Sequence, residues 1–362
     1  MDLVELKPRL ERFVAAKYEG RADASTLEVR DVRKMPGHAG FSYGFSVRGR
    51  GRGGEGLDDG WFLRLPPPGV RWRGTADVLR QVAVLRALDG TAVPHCPVRW
   101  CAEPEDVRRY ENDGDLEAGE LRWFGSPYFV VPRLEGDVAR LDDTCFTRRL
   151  GEQARHEMAR QALEALAGLH ALDAAVAAPY LGEPLPLHED VERWDRFVDR
   201  CPEPEKMRLV PEVRRRLLAQ IPAEAPVGIF HGDFQWANLF YSLGGELLAV
   251  IDFELVGVGA ILNDVGWFAT FNDPEAWHPG RRPEGLMPSA EELVRLYGEA
   301  AAVAPDPVEL HWYRALAAYK FAIITGLNLS LHRRGKRPDP VWEITALSIE
   351  PQLERANRLL GG

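Results

Sequence analysis

The stretch Ile229-Phe230-His231-Gly232-Asp233-Phe234-Gln235-Trp236-Ala237-Asn238-Leu239-Phe240-Tyr241, followed by Leu248-Ala249-Val250-Ile251-Asp252-Phe253-Glu254, decides how this chain is read. A short apolar run of the kind that makes a buried strand delivers a loop with Asp233 and, five residues on, Asn238. The turn Ser242-Leu243-Gly244-Gly245-Glu246 then sends the chain back. A second apolar run delivers Asp252, which the return can bring close to Asn238.

The chemistry that needs this set is phosphoryl transfer. A loop aspartate accepts the proton of an attacking hydroxyl, and an asparagine and a second aspartate hold Mg²⁺ against nucleotide phosphates. Hard oxygen ligands suit Mg²⁺, which keeps several waters and asks for few protein groups. The Asp-to-Asn spacing of five is that of the protein-kinase catalytic loop.

On either side of this segment the chain has a different character. Residues 2–18 place Leu3, Leu6, Leu10, Phe13 and Val14 on one face, which predicts an amphipathic helix. Leu27–Val32 and Tyr43–Val47 alternate as strands. The Gly- and charge-rich stretch Arg48–Gly60 follows, and Trp61–Leu65 resumes a strand, predicting a hairpin with a long mobile tip. Asp77–Leu88 carries a helical period through Val78, Leu79, Val82, Leu85 and Leu88, with Gly90 at the C-cap. Short strands are predicted around Val98–Cys101 and Tyr128–Val131. Helices are predicted at 150–171, around Val191, Trp194, Phe197 and Val198, and at 289–302, 308–333 and 340–360. The fold class is α+β: a small antiparallel sheet with one helix, then a larger, mainly helical lobe interrupted by the quoted strands.

His-Gly-Asp-x4-Asn followed by Ile-Asp-Phe-Glu resembles the aminoglycoside phosphotransferase/choline kinase family of small-molecule kinases. The match is specific at these two motifs, and the lobe order agrees over most of the chain. The resemblance implies a bilobal protein-kinase-like fold, with residues 1–132 as nucleotide-binding lobe and 133–362 as catalytic and substrate-binding lobe. Asp233 would be the catalytic base, Asn238 and Asp252 the Mg²⁺ ligands, and His231 a residue bracing the loop. Asp264, in Leu262-Asn263-Asp264-Val265-Gly266, is similar to the family's later structural aspartate.

On the nucleotide side, Met35–Tyr43 falls where the family has its phosphate-covering loop, which points to Gly37, Gly40 and Ser42. Arg64 takes the place of the strand lysine; arginine keeps the charge and can grip phosphate with two nitrogens. The helix glutamate that pairs with that lysine falls on Gln81, which brings no charge, and Asp77 one turn earlier is the substitute. The connecting segment Tyr128–Gly136 would meet the purine at Val131 and Arg133, with Pro132 offering no N–H.

The implied co-substrate is ATP or GTP, and the acceptor is a hydroxyl of a small molecule: aminoglycoside-like, another antibiotic, a sugar or an amino alcohol. Glu254 either orients its loop or touches the substrate. A nucleotide-binding pseudokinase with a regulatory role is the alternative; Gln81 and Arg64 favour it, and the intact Asp233, Asn238 and Asp252 oppose it. Against a protein kinase stand Asp-Phe-Glu for Asp-Phe-Gly and the lack of Ala-Pro-Glu after Asp252.

Composition narrows the setting. With 362 residues, 45% hydrophobic and 28% charged, the chain can build a sizeable core. A net charge of −10 argues against a nucleic-acid partner, since phosphate backbones demand a basic face. Lys7, Lys17, Lys34, Lys206, Lys320 and Lys336 are its lysines, the rest of the 45 basic residues being arginine. Cys96, Cys101, Cys145 and Cys201 form no CxxC pair and read as free thiols. The N-terminal helix lacks the apolar core of a signal peptide, and no run is long enough to span a membrane. The expectation is a cytoplasmic protein with no membrane partner. The acidic stretch around Trp194 reads as a solvated helix face, and Trp267, Trp277, Trp312 and Trp342 read mainly as core.

Overall fold

The computed structural model describes residues 1–362 except 36–40, 118, 140–145, 282–284, 302–304 and 362, and the side chains of 176–179. The chain gathers into two compact units. One comprises Met1–Gly90, His95–Glu135 and Asp252–Leu255; the other comprises Thr91–Pro94, Gly136–Ile251 and Val256–Gly362.

The first unit opens with helix α1 (Leu3–Lys17), whose N-terminus is capped by Asp2 Oδ1 accepting the Glu5 N–H at 2.8 Å. Its buried face, Leu6, Leu10, Phe13 and Val14, is the one the apolar spacing predicts, except that Leu3 at its start is exposed. Phe13 lies in an aromatic cluster with Trp100, Trp123, Phe124 and Tyr128, at ring separations of 5.4–5.8 Å. Strands β1 (Glu28–Lys34), β2 (Phe41–Arg50), β3 (Gly56–Leu65), β4 (Trp100–Cys101) and β5 (Phe129–Pro132) form an antiparallel sheet ordered β1-β2-β3-β5-β4.

Much of the expected long hairpin tip is ladder. β2 and β3 pair without interruption from Phe41↔Leu65 to Arg50↔Gly56, so only Gly51–Glu55 turns. Extending the ladder satisfies backbone N–H and C=O groups that a loose tip would leave to water, and Arg48 meets Asp58 across it at 3.2 Å. At the turn Glu55 folds over Gly51, where a Cβ would have to displace its carboxylate.

Helix α2 (Val78–Leu88) buries its apolar stripe and is capped by Asp77 Oδ1, which accepts the Leu79 N–H at 3.0 Å. Gly90 follows with φ +80°. Helix α3 (Pro104–Asp113) has no counterpart in the hydrophobic pattern, because no residue on it is buried and no apolar stripe marks it. Its signals are terminal instead: a reciprocal capping box between Glu103 and Asp106, Pro104 in the first turn, and Gly114 at the end with φ +72°.

The second unit is helical around two small sheets. Its helices are α4 (Glu152–His170), α5 (Ala174–Leu181), α6 (Leu187–Glu192), α7 (Asp195–Val198), α8 (Val210–Ala219), α9 (Leu262–Phe271), α10 (Ala290–Ala300), α11 (Pro307–Arg333), α12 (Val341–Thr345) and α13 (Ile349–Leu359). The stretch 340–360, expected as one helix, is broken by a tight turn at Ala346–Ser348. Strands β6 (Asp137–Val138), β8 (Leu239–Tyr241) and β9 (Leu247–Val250) form one sheet; β7 (Val227–Phe230) pairs antiparallel with β10 (Gly257–Ala260).

Helix α11 packs along α9 and α13 and buries Leu310, Leu316, Ile323 and Leu329. Each fully buried side chain of this size contributes about 1.5–3 kcal/mol. Among the described residues no helix is long and apolar enough to cross a membrane.

Candidate active site

In the second unit, β7 ends at Phe230 and Gly232, at φ +87°, turns the chain into the loop that holds Asp233. Such a turn leaves backbone N–H groups without ladder partners, and Asp264 in the first turn of α9 takes two of them. Its Oδ2 accepts from His231 N–H at 2.6 Å and its Oδ1 from Gly232 N–H at 2.8 Å. His170 Nε2–H donates to Asp264 Oδ2 at 3.1 Å, and His170 Nδ1 lies 2.9 Å from the Tyr297 hydroxyl. Burial by itself would raise the Asp264 pKa. The His170 hydrogen bond and the Gly232 N–H offset it and hold the carboxylate below its ordinary range.

His231 is fully buried. Its Nδ1 accepts the Asp233 N–H at 3.2 Å, so Nε2 carries the ring proton and donates to Ile251 O at 3.0 Å. A ring with one accepting and one donating nitrogen is neutral, and it ties the start of the loop to the end of β9. Ile251 N–H also donates to Asn238 O at 3.0 Å, which carries the β8–β9 ladder up to the residue before Asp252.

Asp233 Oδ1 accepts from Gln235 Nε2 at 2.8 Å and Trp267 Nε1 at 3.0 Å, and Oδ2 accepts from Asn238 Nδ2 at 2.9 Å. Asn238 Nδ2 also donates to Asp233 O at 2.8 Å. The amide nitrogen is thus committed to Asp233. Asn238 Oδ1 accepts no hydrogen bond among the described residues and is the atom left to coordinate a cation.

In the first unit Asp252 adopts φ +64°, a left-handed conformation that aspartate tolerates better than most residues. Its side chain is 34% exposed. Arg64, on β3 opposite Ser42 of β2, is buried; its Nη1 donates to Ser42 Oγ at 3.0 Å and its Nη2 to Glu254 Oε2 at 2.8 Å. Nη2 also lies 3.5 Å from Asp252 Oδ1. Neither Gln81 nor Asp77 partners Arg64: Gln81 is buried on α2, and the Asp77 carboxylate caps that helix.

Val131 pairs with Phe62 in the β3–β5 ladder. The Arg133 N–H, expected to face a purine, donates to Gly60 O at 2.9 Å and continues the ladder past Pro132, so that donor is committed to the sheet. Gly37 and Gly40 lie outside the described residues. Cys96, Cys101 and Cys201 are buried free thiols, as expected; burial pushes Cys96 up to about 11 and Cys101 up to about 12. Cys145 also lies outside the described residues.

Among the described residues no three His, Cys, Asp or Glu side chains gather as a metal site. In the second unit Asn238 Oδ1, and in the first unit the partly exposed Asp252 carboxylate, each offer a hard oxygen donor, the kind that Mg²⁺ takes in small number while keeping several waters.

The sequence pattern of the phosphotransferase enzyme family matches residues 41–313, from β2 into α11, and takes in both motifs. The chain belongs to the phosphotransferase enzyme family. Solved structures agree on the fold of this phosphotransferase. A candidate aminoglycoside phosphotransferase from Ralstonia eutropha JMP134 is similar at a TM-score of 0.68 and 18% identity, covering 97% of this chain and 98% of that one. The GDP and kanamycin complex of an aminoglycoside phosphotransferase, APH(2")-IIIa, gives 0.62 at 13% identity over 97% and 99% of the two chains. A choline/ethanolamine kinase family protein of Mesorhizobium loti gives 0.55 at 16% identity over 92% and 89%. The α+β, protein-kinase-like fold and a small-molecule phosphotransferase are therefore what the two motifs led us to expect.

Two curated relatives also match: acyl-CoA dehydrogenase family member 11 of Mus musculus, 21% identical over 83% of this chain, and IBR3 of Arabidopsis thaliana, an acyl-CoA dehydrogenase by name, 24% identical over 74%. The chain spans about a third of those proteins, 37% and 33% of their lengths.

Sequence reasoning assigned no role to Gln235 or His170 and read Trp267 mainly as core. Trp267 follows Asp264 by three residues on α9, so the two share a helix face. That spacing could have marked it as a second hand on the same loop. His170 ends α4 and carries no local sign of its partner 94 positions on.

Proposed function

We propose that this phosphotransferase moves the γ-phosphoryl group of ATP or GTP onto a hydroxyl of a small molecule in the presence of Mg²⁺. The observation that carries the reading is the Asp233 carboxylate, held by donors from Trp267, Gln235 and Asn238 on a loop that Asp264 pins to α9. A carboxylate so fixed accepts the acceptor's hydroxyl proton without first paying to become ordered. Asn238 Oδ1 and Asp252 would hold Mg²⁺, which when bound neutralises phosphate charge. Arg64, with Ser42, Gly37 and Gly40, holds the phosphates. The purine is met at Val131, the Arg133 N–H being engaged elsewhere.

The complete Asp233, Asn238 and Asp252 set speaks against a pseudokinase. The net charge of −10 supports an enzyme without a nucleic-acid partner, and our reading places it in the cytoplasm without a membrane partner. The acceptor belongs among aminoglycoside-like compounds, other antibiotics, sugars and amino alcohols. A hydroxyl on an acyl thioester is a second acceptor class, favoured by the acyl-CoA dehydrogenase names of the curated relatives.

The test is γ-phosphate transfer from labelled ATP and GTP to a panel spanning these classes, with Asp233→Ala alongside. Removing a general base costs about 10²–10⁴-fold in turnover. The variant should lose that much while nucleotide binding, read by thermal shift, stays within error. Undiminished transfer by Asp233→Ala would remove the aspartate from the mechanism.

A further inference from the structure

We infer that Glu254 is the acid that positions Arg64 for the nucleotide phosphates, in the place where the resemblance expects a helix glutamate and this chain has Gln81; the inference rests on the nucleotide-dependent reading above. A guanidinium only 11% exposed has lost most of its hydration and needs a charged partner. Among the described residues two carboxylates reach Arg64, and they are unequal. Glu254 Oε2 lies 2.8 Å from Nη2 and is itself 15% exposed, while Asp252 Oδ1 stands at 3.5 Å on a side chain 34% exposed. The short, more deeply buried contact carries the pair, which leaves the Asp252 carboxylate available as a ligand.

The rest of the guanidinium points the same way. Ser42 Oγ takes one Nη1 hydrogen at 3.0 Å and Glu254 takes Nη2, so two corners of a rigid plane are fixed. The Nε–H and the second Nη1–H make no hydrogen bond among the described residues. Donors left open in this way can take an acceptor, and phosphate oxygens are acceptors of the right charge. Glu254 arrives there because Asp252, at φ +64°, leads into the tight turn Phe253–Leu255, which packs against α2. The acid has moved from the helix to the turn the helix rests on. Arg64, Gln81 and Glu254 then read as one arrangement, in which an arginine draws its partner from Asp-Phe-Glu instead of from α2.

The experiment is a double-mutant cycle on nucleotide affinity. Dissociation constants for Mg²⁺·ATP and Mg²⁺·GTP are measured by thermal shift, with KM and kcat on any acceptor found, for wild type, Arg64→Met, Glu254→Gln and the double variant. Each single change should weaken nucleotide binding about tenfold, and the double variant no further, because Glu254 acts only through Arg64. KM should rise more than kcat falls, and Glu254→Asp should recover part of the affinity. Raising Mg²⁺ tenfold should leave the Glu254→Gln defect in place. Additive losses in the double variant, or rescue by Mg²⁺, would overturn the inference and make Glu254 a metal ligand. A lowered melting midpoint with unchanged nucleotide affinity would overturn it too, leaving Glu254 a structural residue. Arg64→Gln replaces Arg64→Met in the same cycle if the latter fails to fold. A wild type that binds neither nucleotide would overturn the nucleotide reading itself, a result distinct from binding with additive losses.

Discussion

Asp264 shows how much a single buried carboxylate can organise. Two backbone N–H groups freed by the turn at Gly232, and an imidazole from α4, converge on its two oxygens. Its pKa lies below the unfolded value of about 3.9. The stabilisation is therefore fully present above that value and is lost as pH falls through the lower folded pKa. Asp264→Asn, which sets an amide among buried donors, should cost about 1–3 kcal/mol at neutral pH, as leaving buried hydrogen-bonding groups unsatisfied does. In urea unfolding the gap between variant and wild type should narrow as pH falls below about 4, and a gap that stays constant there would rule out the ionised carboxylate as its source. The family resemblance marked Asp264 as structural, but His170 and Tyr297, which complete the cluster, come from other helices and left no sign near it.

At the scale of elements, the strands and helices with a clean apolar period were legible, and those held by their ends were not. α1 and α2 bury most of the stripe their sequences display, whereas α11 is buried on every side between Trp312 and Tyr319. α3 is polar on every side and is defined by its caps. The packing of α9 on α11 rests on Gly266, where a Cβ would sit 2.6 Å from the Tyr313 carbonyl carbon. Gly266→Ala must push the helices apart and should cost about 1–3 kcal/mol by the ordinary penalty for overpacking. Denaturant unfolding measures it, and a variant as stable as wild type would mean that the two helices have room to spare.

Across the whole molecule the decisive measurement is linkage between nucleotide and stability. A ligand present at about 100 times its dissociation constant stabilises the native state by about 2.7 kcal/mol. Mg²⁺·ATP or Mg²⁺·GTP should raise the melting midpoint of the wild type by a corresponding amount, and Asp252→Ala should abolish the Mg²⁺-dependent part. A shift of equal size in the variant would take Asp252 out of the metal site.

The sequence by itself determined the strand–loop–strand that carries Asp233 and Asn238 and leads to Asp252, because hairpin geometry is local: a few residues of turn fix what two adjacent strands bring together. It also determined the change from a β-rich first third to a helical remainder, since periods of two and of 3.6 are written into neighbouring residues. Only the tertiary structure decided that Glu254 pairs with Arg64 across 190 positions, that Trp267 reaches Asp233, and that the Arg133 N–H serves Gly60. Each of these depends on a buried polar group finding a partner once packing has removed water, a requirement that no local periodicity records.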